Sequence, residues 1–164
     1  MFLVRDLQAF IPYVTHNIYI MKTTSDFSER IKELLIEHNM TCEQLAKNIG
    51  VSRTSCYRWT LEPLQITRQN LILVADYFNC SIEFLIGRTD NTERTLSKPI
   101  PNFYTQVKKI MNEVGFTTYS LRKKSKYNGG YFYRWRNGAE PLLPTLLELA
   151  NLFDCTIDYL VGRE

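Results

Sequence analysis

The feature that most constrains this chain is that it is written twice. Trp59 and Trp135 stand 76 positions apart, and Tyr57–Arg58–Trp59 returns as Tyr133–Arg134–Trp135. At the same offset Phe27 pairs with Phe103, Thr41 with Thr117 and Leu45 with Leu121. One residue is then lost in a loop. At an offset of 75, Ala75 pairs with Ala150, Phe78 with Phe153 and Cys80 with Cys155. Ile82–Arg88, IEFLIGR, pairs with Ile157–Arg163, IDYLVGR. Repetition at a fixed period implies one structural unit made twice. Each copy is about 65 residues, small but able to fold alone.

The first copy reads as five helices. Phe27, Ile31, Leu34, Leu35 and His38 form one apolar stripe, which predicts an amphipathic helix over 26–38. Glu29, Arg30, Lys32, Glu33 and Glu37 lie on its outer face. Thr41 followed by Gln44 is a capping-box start. Leu45, Ala46 and Ile49 give the second helix its apolar face, and Gly50 stands where a positive φ is needed. Ser52 caps a third helix that buries Cys56 and Trp59. Arg53, Thr54, Tyr57 and Arg58 are left facing out, although Tyr57, being aromatic, is also expected to pack mostly into the core beside Trp59. A short helix, a Gly turn and a second helix with an Arg-bearing face describe a helix-turn-helix, whose second helix enters the DNA major groove. Thr67 then caps a helix with Leu71, Val74, Ala75 and Phe78 as its stripe, and Ser81 caps a last short one ended by Gly87. In the second copy the first stripe recurs as Phe103, Val107, Ile110, Met111 and Val114.

Between the copies, Thr89–Pro101, TDNTERTLSKPIP, is a linker by composition. The expected boundaries are therefore 26–88 for the first domain, 89–101 for the linker and 102–164 for the second domain. Residues 1–25 are apolar, but Arg5, Asp6 and Pro12 interrupt them and no small-residue cleavage site follows, which argues against a signal peptide or a membrane span. They are expected either to act as an arm, packing on the body or mediating self-association, or to lie upstream of a true start at Met21.

Composition narrows the function classes. Hydrophobic residues make up 45% of the chain, as in ordinary globular proteins. Cys42, Cys56, Cys80 and Cys155 show no C-x-x-C spacing and read as reduced core thiols of a cytoplasmic protein. His16 and His38 are too few and too far apart for a metal site. No nucleophile–base set, phosphate loop or paired carboxylates appear, so no enzyme and no cofactor are expected. Cys42 beside Glu43 and His38 reads as a helix-cap region. No small-molecule effector domain is visible. The net charge of +3 favours an anionic partner only weakly.

Residues 41–59 carry the pattern T-x-x-x-L-A-x-x-x-G-V-S-x-x-x-x-x-x-W, and residues 71–87 carry L-x-x-x-A-x-x-F-x-x-x-x-x-x-L-x-G. The first copy thereby resembles the Cro/CI-type (XRE-family) helix-turn-helix regulators from end to end. The resemblance implies an all-α chain of two tandem five-helix, lambda-repressor-like helix-turn-helix domains. It also implies a sequence-specific regulator of transcription, expected to repress, with double-stranded DNA as partner. The DNA contacts it implies are Ser52, Arg53, Thr54, Tyr57 and Arg58. Relatives of this kind dimerise to read two half-sites one helical turn apart. This chain could do so as a homodimer or as an intramolecular pseudo-dimer, and in the second case on an asymmetric site.

Both copies depart from the family pattern. In the first, Thr60, Glu62 and Ile66 replace the usual acid, Gly and Pro, while Gly138 and Pro141 keep the last two in the second copy. In the second, Arg122 replaces the Ala, Lys126 the turn Gly, and Tyr127–Asn128 the Val-Ser, and Gly129 and Gly130 take the two outward positions that follow. The second copy is also the more basic. Residues 26–90 hold seven Lys/Arg against nine Asp/Glu, net −2, while 101–164 hold nine against six, net +3. Lys123, Lys124, Lys126 and Arg134 then read as phosphate contacts that position without selecting sequence. The competing reading is a protein-interaction or dimerisation adaptor, or an antitoxin-like partner, built on degenerate helix-turn-helix domains.

Overall fold

The structure is a computed structural model that describes residues 26–93 and 99–164. The apolar N-terminal segment, including Met21, and the middle of the linker fall outside the described residues. Among those residues the chain is all-α, with a single antiparallel bridge between Thr67 and Leu142 as its only β contact. The first half runs α1 (26–37), α2 (Cys42–Ile49), α3 (Arg53–Trp59), a 3₁₀ turn (Pro63–Gln65), α4 (Arg68–Tyr77) and α5 (Ile82–Leu85). The second half runs α6 (Phe103–Glu113), α7 (Thr118–Lys124), α8 (Gly129–Arg136), α9 (Leu143–Phe153) and α10 (Ile157–Val161).

Local chemistry starts and stops these helices much as their sequences predict. Thr41 Oγ1 accepts from Gln44 N at 3.2 Å while Gln44 Oε1 accepts from Thr41 N at 2.8 Å, completing the capping box of α2. Gly50 ends α2 at φ +72°. Ser52, Thr67 and Ser81 cap α3, α4 and α5 through their side chains. The stripes of α1 and α6 are one position shorter than their periodicity implies. Phe27, Ile31, Leu34 and Leu35 are buried, but His38 faces solvent. Its counterpart Val114 is 43% exposed. Both residues close the last helical turn, His38 N donating to Leu34 O and Val114 N to Ile110 O, before a left-handed residue, Asn39 at φ +47° and Gly115 at φ +71°, and the His38 ring keeps a contact with Phe78 at 5.2 Å between centroids. The lost residue also has a physical location. The first half spends its extra residue on the 3₁₀ turn after α3, whereas Gly138 at φ +86° turns the second half directly.

Buried apolar residues form one continuous cluster through both halves, with Trp59 and Trp135 at equivalent places in it. All four cysteines are free thiols. Burial, reinforced by the neighbouring Cys42, pushes the Cys56 thiol up to about 12, so it stays protonated and unreactive.

The two halves meet through equivalent positions, each contacting the other reciprocally. Arg68 N donates to Pro141 O at 2.8 Å and Leu143 N donates to Ile66 O at 3.0 Å, on either side of the Thr67–Leu142 bridge. Asp158 Oδ2 accepts from Ile82 N at 2.7 Å and Glu83 N at 3.2 Å, capping α5 from the other half. Its counterpart Glu83 accepts from Ile157 N and caps α10 in return. Each acid is paired with the arginine five residues on, Glu83 with Arg88 at 3.4 Å and Asp158 with Arg163. Arg88 Nη2 then donates to Asn151 Oδ1 at 3.1 Å, and Arg163 Nη2 donates to the counterpart Asp76 Oδ1 at 3.1 Å. Residue i meeting j while j's equivalent meets i's is the pattern a two-fold axis produces.

The two ends of this interface are not alike. Arg163 is 2% exposed and also donates to Cys80 O at 3.0 Å. The Arg88 side chain keeps 21% exposure. Arg68, which has Leu143 as its counterpart, is buried against Glu140 at 3.2 Å and donates to Pro101 O at 2.7 Å and Val161 O at 2.9 Å. Burial draws the Arg68 guanidinium down, opposed by Glu140. These buried charges escaped the sequence reading, which sorted residues by apolar period. The signal available was an acid followed five residues later by Arg at the same place in both copies.

Candidate nucleic-acid interface

Helix α3 carries the outward residues on a surface the other described residues leave open. Cys56 and Trp59 anchor it to the core, and Arg53, Thr54 and Arg58 are exposed. Tyr57 is 45% exposed, so it belongs with the outward set and not with the core. Its position follows from the helix, which places residue 57 between the buried 56 and 59 on the far side of the turn. Arg53 lies 3.8 Å from Glu43 of α2, with its guanidinium 5.6 Å from the Tyr57 ring. An exposed pair of this kind contributes about 0–1 kcal/mol, weak enough for Arg53 to exchange it for a base or phosphate. Ser52 Oγ accepts from Ser55 N at 3.1 Å and meets Ser55 Oγ at 2.8 Å, so its hydroxyl serves the helix start. Thr54, Tyr57, Arg58, Leu61 and Glu62 line a shallow hollow beside α3. Leu61 is 77% exposed there.

The equivalent surface of α7 and α8 is built differently. Where α2 turns at Gly50, α7 ends at Ser125 in extended backbone, φ −149°. Ser125 Oγ donates to Leu121 O at 2.8 Å and accepts from Tyr127 N at 3.2 Å, so a side chain does the work of the missing left-handed glycine. Tyr127 then drops into the core, where its hydroxyl donates to Glu148. Burial, and then Glu148, push that hydroxyl far up. Lys126 Nζ sits 2.8 Å from Glu148 Oε1, with 56% of its side chain exposed. Lys124 lies 5.0 Å over the Phe116 ring. Arg122, Lys123, Arg134 and Arg136 are exposed.

Helix α8 opens with Gly129 and Gly130 under an Asn128 cap, whose Oδ1 accepts from Gly130 N at 2.9 Å. A Cβ at Gly129 would meet nothing within 4 Å, so no packing among the described residues demands glycine there. Tyr119 and Tyr133 stand out at 73% and 71% exposure. Tyr119 replaces Glu43 and Gly129 replaces Arg53, so the ion pair of the first half has no counterpart in the second.

Among the described residues no group of three or more His, Cys, Asp and Glu could hold a metal, and no helix is long and apolar enough to cross a membrane. Residues 31–85 match the family described as Helix-turn-helix. The match starts inside α1 and ends at the last residue of α5, covering the first half and none of the second. That region is therefore similar to the helix-turn-helix family. A protein of Bacillus subtilis (strain 168), the uncharacterized HTH-type transcriptional regulator YobD, is 27% identical over 67 residues, which is 41% of this chain and 60% of that protein. The chain thus spans less than two thirds of that relative. No solved structure matches the chain.

Proposed function

We propose that the protein is a sequence-specific DNA-binding regulator that represses transcription by occupying its operator, with α3 inserted in the major groove. The observation that carries this reading is the exposed set Arg53, Thr54, Tyr57 and Arg58 on the second helix of a capped helix-turn-helix. Arg presents a rigid fork that pairs bidentately with guanine O6 and N7, and Thr can accept a hydrogen bond or touch a thymine methyl. Residues 26–88 and 102–164 are read as two tandem helix-turn-helix domains joined by 89–101. The equivalent caps and left-handed residues of the two halves support that boundary. In a duplex selected by the full chain from a random pool, Arg58→Ala is expected to relax discrimination at one base position by about 1–3 kcal/mol. Competition against single-base variants of that duplex measures it, and no change at any position refutes the base-contact role.

A second reading has its own support. Exposed Tyr119 and Tyr133 on the second half suit an adaptor surface for another protein.

A further inference from the structure

We propose that one chain is a complete DNA-reading unit, in which α8 and the exposed end of α7 form a second, phosphate-gripping surface held in register with α3 by the reciprocal interface. The proposal rests on the DNA-binding reading of α3 and adds the partner surface of the second half.

Three observations lead to it. The first is the symmetry of the interface. Thr67 bridges Leu142, and Asp158 caps α5 as Glu83 caps α10. A two-fold sets equivalent elements at equal height along its axis, so α3 and α8 hold equivalent places about it. Here both belong to one chain. The surface a second copy would need for the same pairing is already filled, down to the buried Arg163 and Asp158.

The second observation is that α8 is not used up by this interface. Tyr133, Arg134 and Arg136 remain exposed, with Arg122 and Lys123 on the neighbouring helix. Among the described residues nothing lies within 4 Å of a Cβ built at Gly129.

The third is the chemistry of that face. Two glycines remove the side chains that would reach base edges at the first two outward positions, while arginines and a tyrosine hydroxyl remain. Those groups bind phosphate oxygens, which fix position and carry no sequence information directly. The excess charge lies in the same half: residues 101–164 are net +3 and 26–90 net −2. The operator this surface fits has one half-site read at its bases and one held by its backbone, about one helical turn away.

The test uses the full chain and a duplex it selects from a random pool. Sedimentation at concentrations well above Kd should give one chain per duplex. Hydroxyl-radical footprinting should protect two backbone segments about one turn (~34 Å) apart. In the Arg122→Ala, Arg134→Ala double variant, the slope of log K against log salt should fall by about two, with single-base preferences unchanged. Two chains per duplex, or a single protected segment with an unchanged salt slope, overturns the proposal, and in the second case leaves α8 as a protein-contacting face. If Arg58→Ala still relaxes one base position in those outcomes, α3 reads DNA and this inference alone has failed. If the full chain selects no duplex, the DNA reading itself falls and this proposal falls with it.

Discussion

Helices α3 and α8 occupy equivalent places and present different chemistry. Both are anchored by a buried Trp and a buried residue three positions earlier, Cys56 in α3 and Phe132 in α8. Both show an exposed Tyr–Arg pair. In front of that pair α3 adds Arg53 and Thr54, whereas α8 adds two bare glycines. The turns before them differ too, a left-handed Gly50 in one and a Ser125 side chain standing in for it in the other. The comparison teaches that fold and outward surface are separable: the anchors are kept wherever the core needs them, while the outward positions have diverged.

The largest expected effect concerns the interface that holds the two surfaces together. Arg163→Ala strands Asp158 in a buried site and should cost about 3–5 kcal/mol. Arg88→Ala, at the more open end, should cost about 1.5 kcal/mol. It leaves Glu83, whose carboxyl burial already raises above the usual carboxylate range, so that acid can take up a proton instead. Chemical denaturation of both variants checks this, and equal losses would show that the two ends are energetically alike.

Some of this was legible in the sequence and some was not. The repeat, the capping box at Thr41, the left-handed Gly50 and the exposed arginines of α3 all follow from local chemistry, which a linear pattern records. His38 and Val114 were placed on apolar stripes because period says nothing about where a helix ends. Lys126 reads as one member of a basic run, and the sequence does not show its ion pair with Glu148. Its partner Glu148 lies on another helix, and no spacing rule connects them. The Glu83–Arg88 and Asp158–Arg163 interface was hidden for the same reason: its contacts join residues that are remote in sequence and equivalent only through the repeat.

A smaller effect separates α8 from an idle helix. Gly129→Ala has open space for its Cβ and should stabilise the chain by up to about 1 kcal/mol, raising Tm by roughly 2–4 °C. If backbone at Gly129 lies close to DNA, the same variant should bind all duplexes more weakly despite its greater stability. A variant that is more stable and binds equally well would place this end of α8 away from the DNA.

The most direct measurement is the binding motif of the full chain, read from duplexes selected out of a random pool. The account predicts an asymmetric motif. One half-site carries strong base preferences, one position of which is lost in Arg58→Ala. The other half, about one helical turn away, carries weak preferences but is still required for full affinity. A palindromic motif with equal preferences in both halves would contradict the central claim that the two reading surfaces have divided their roles.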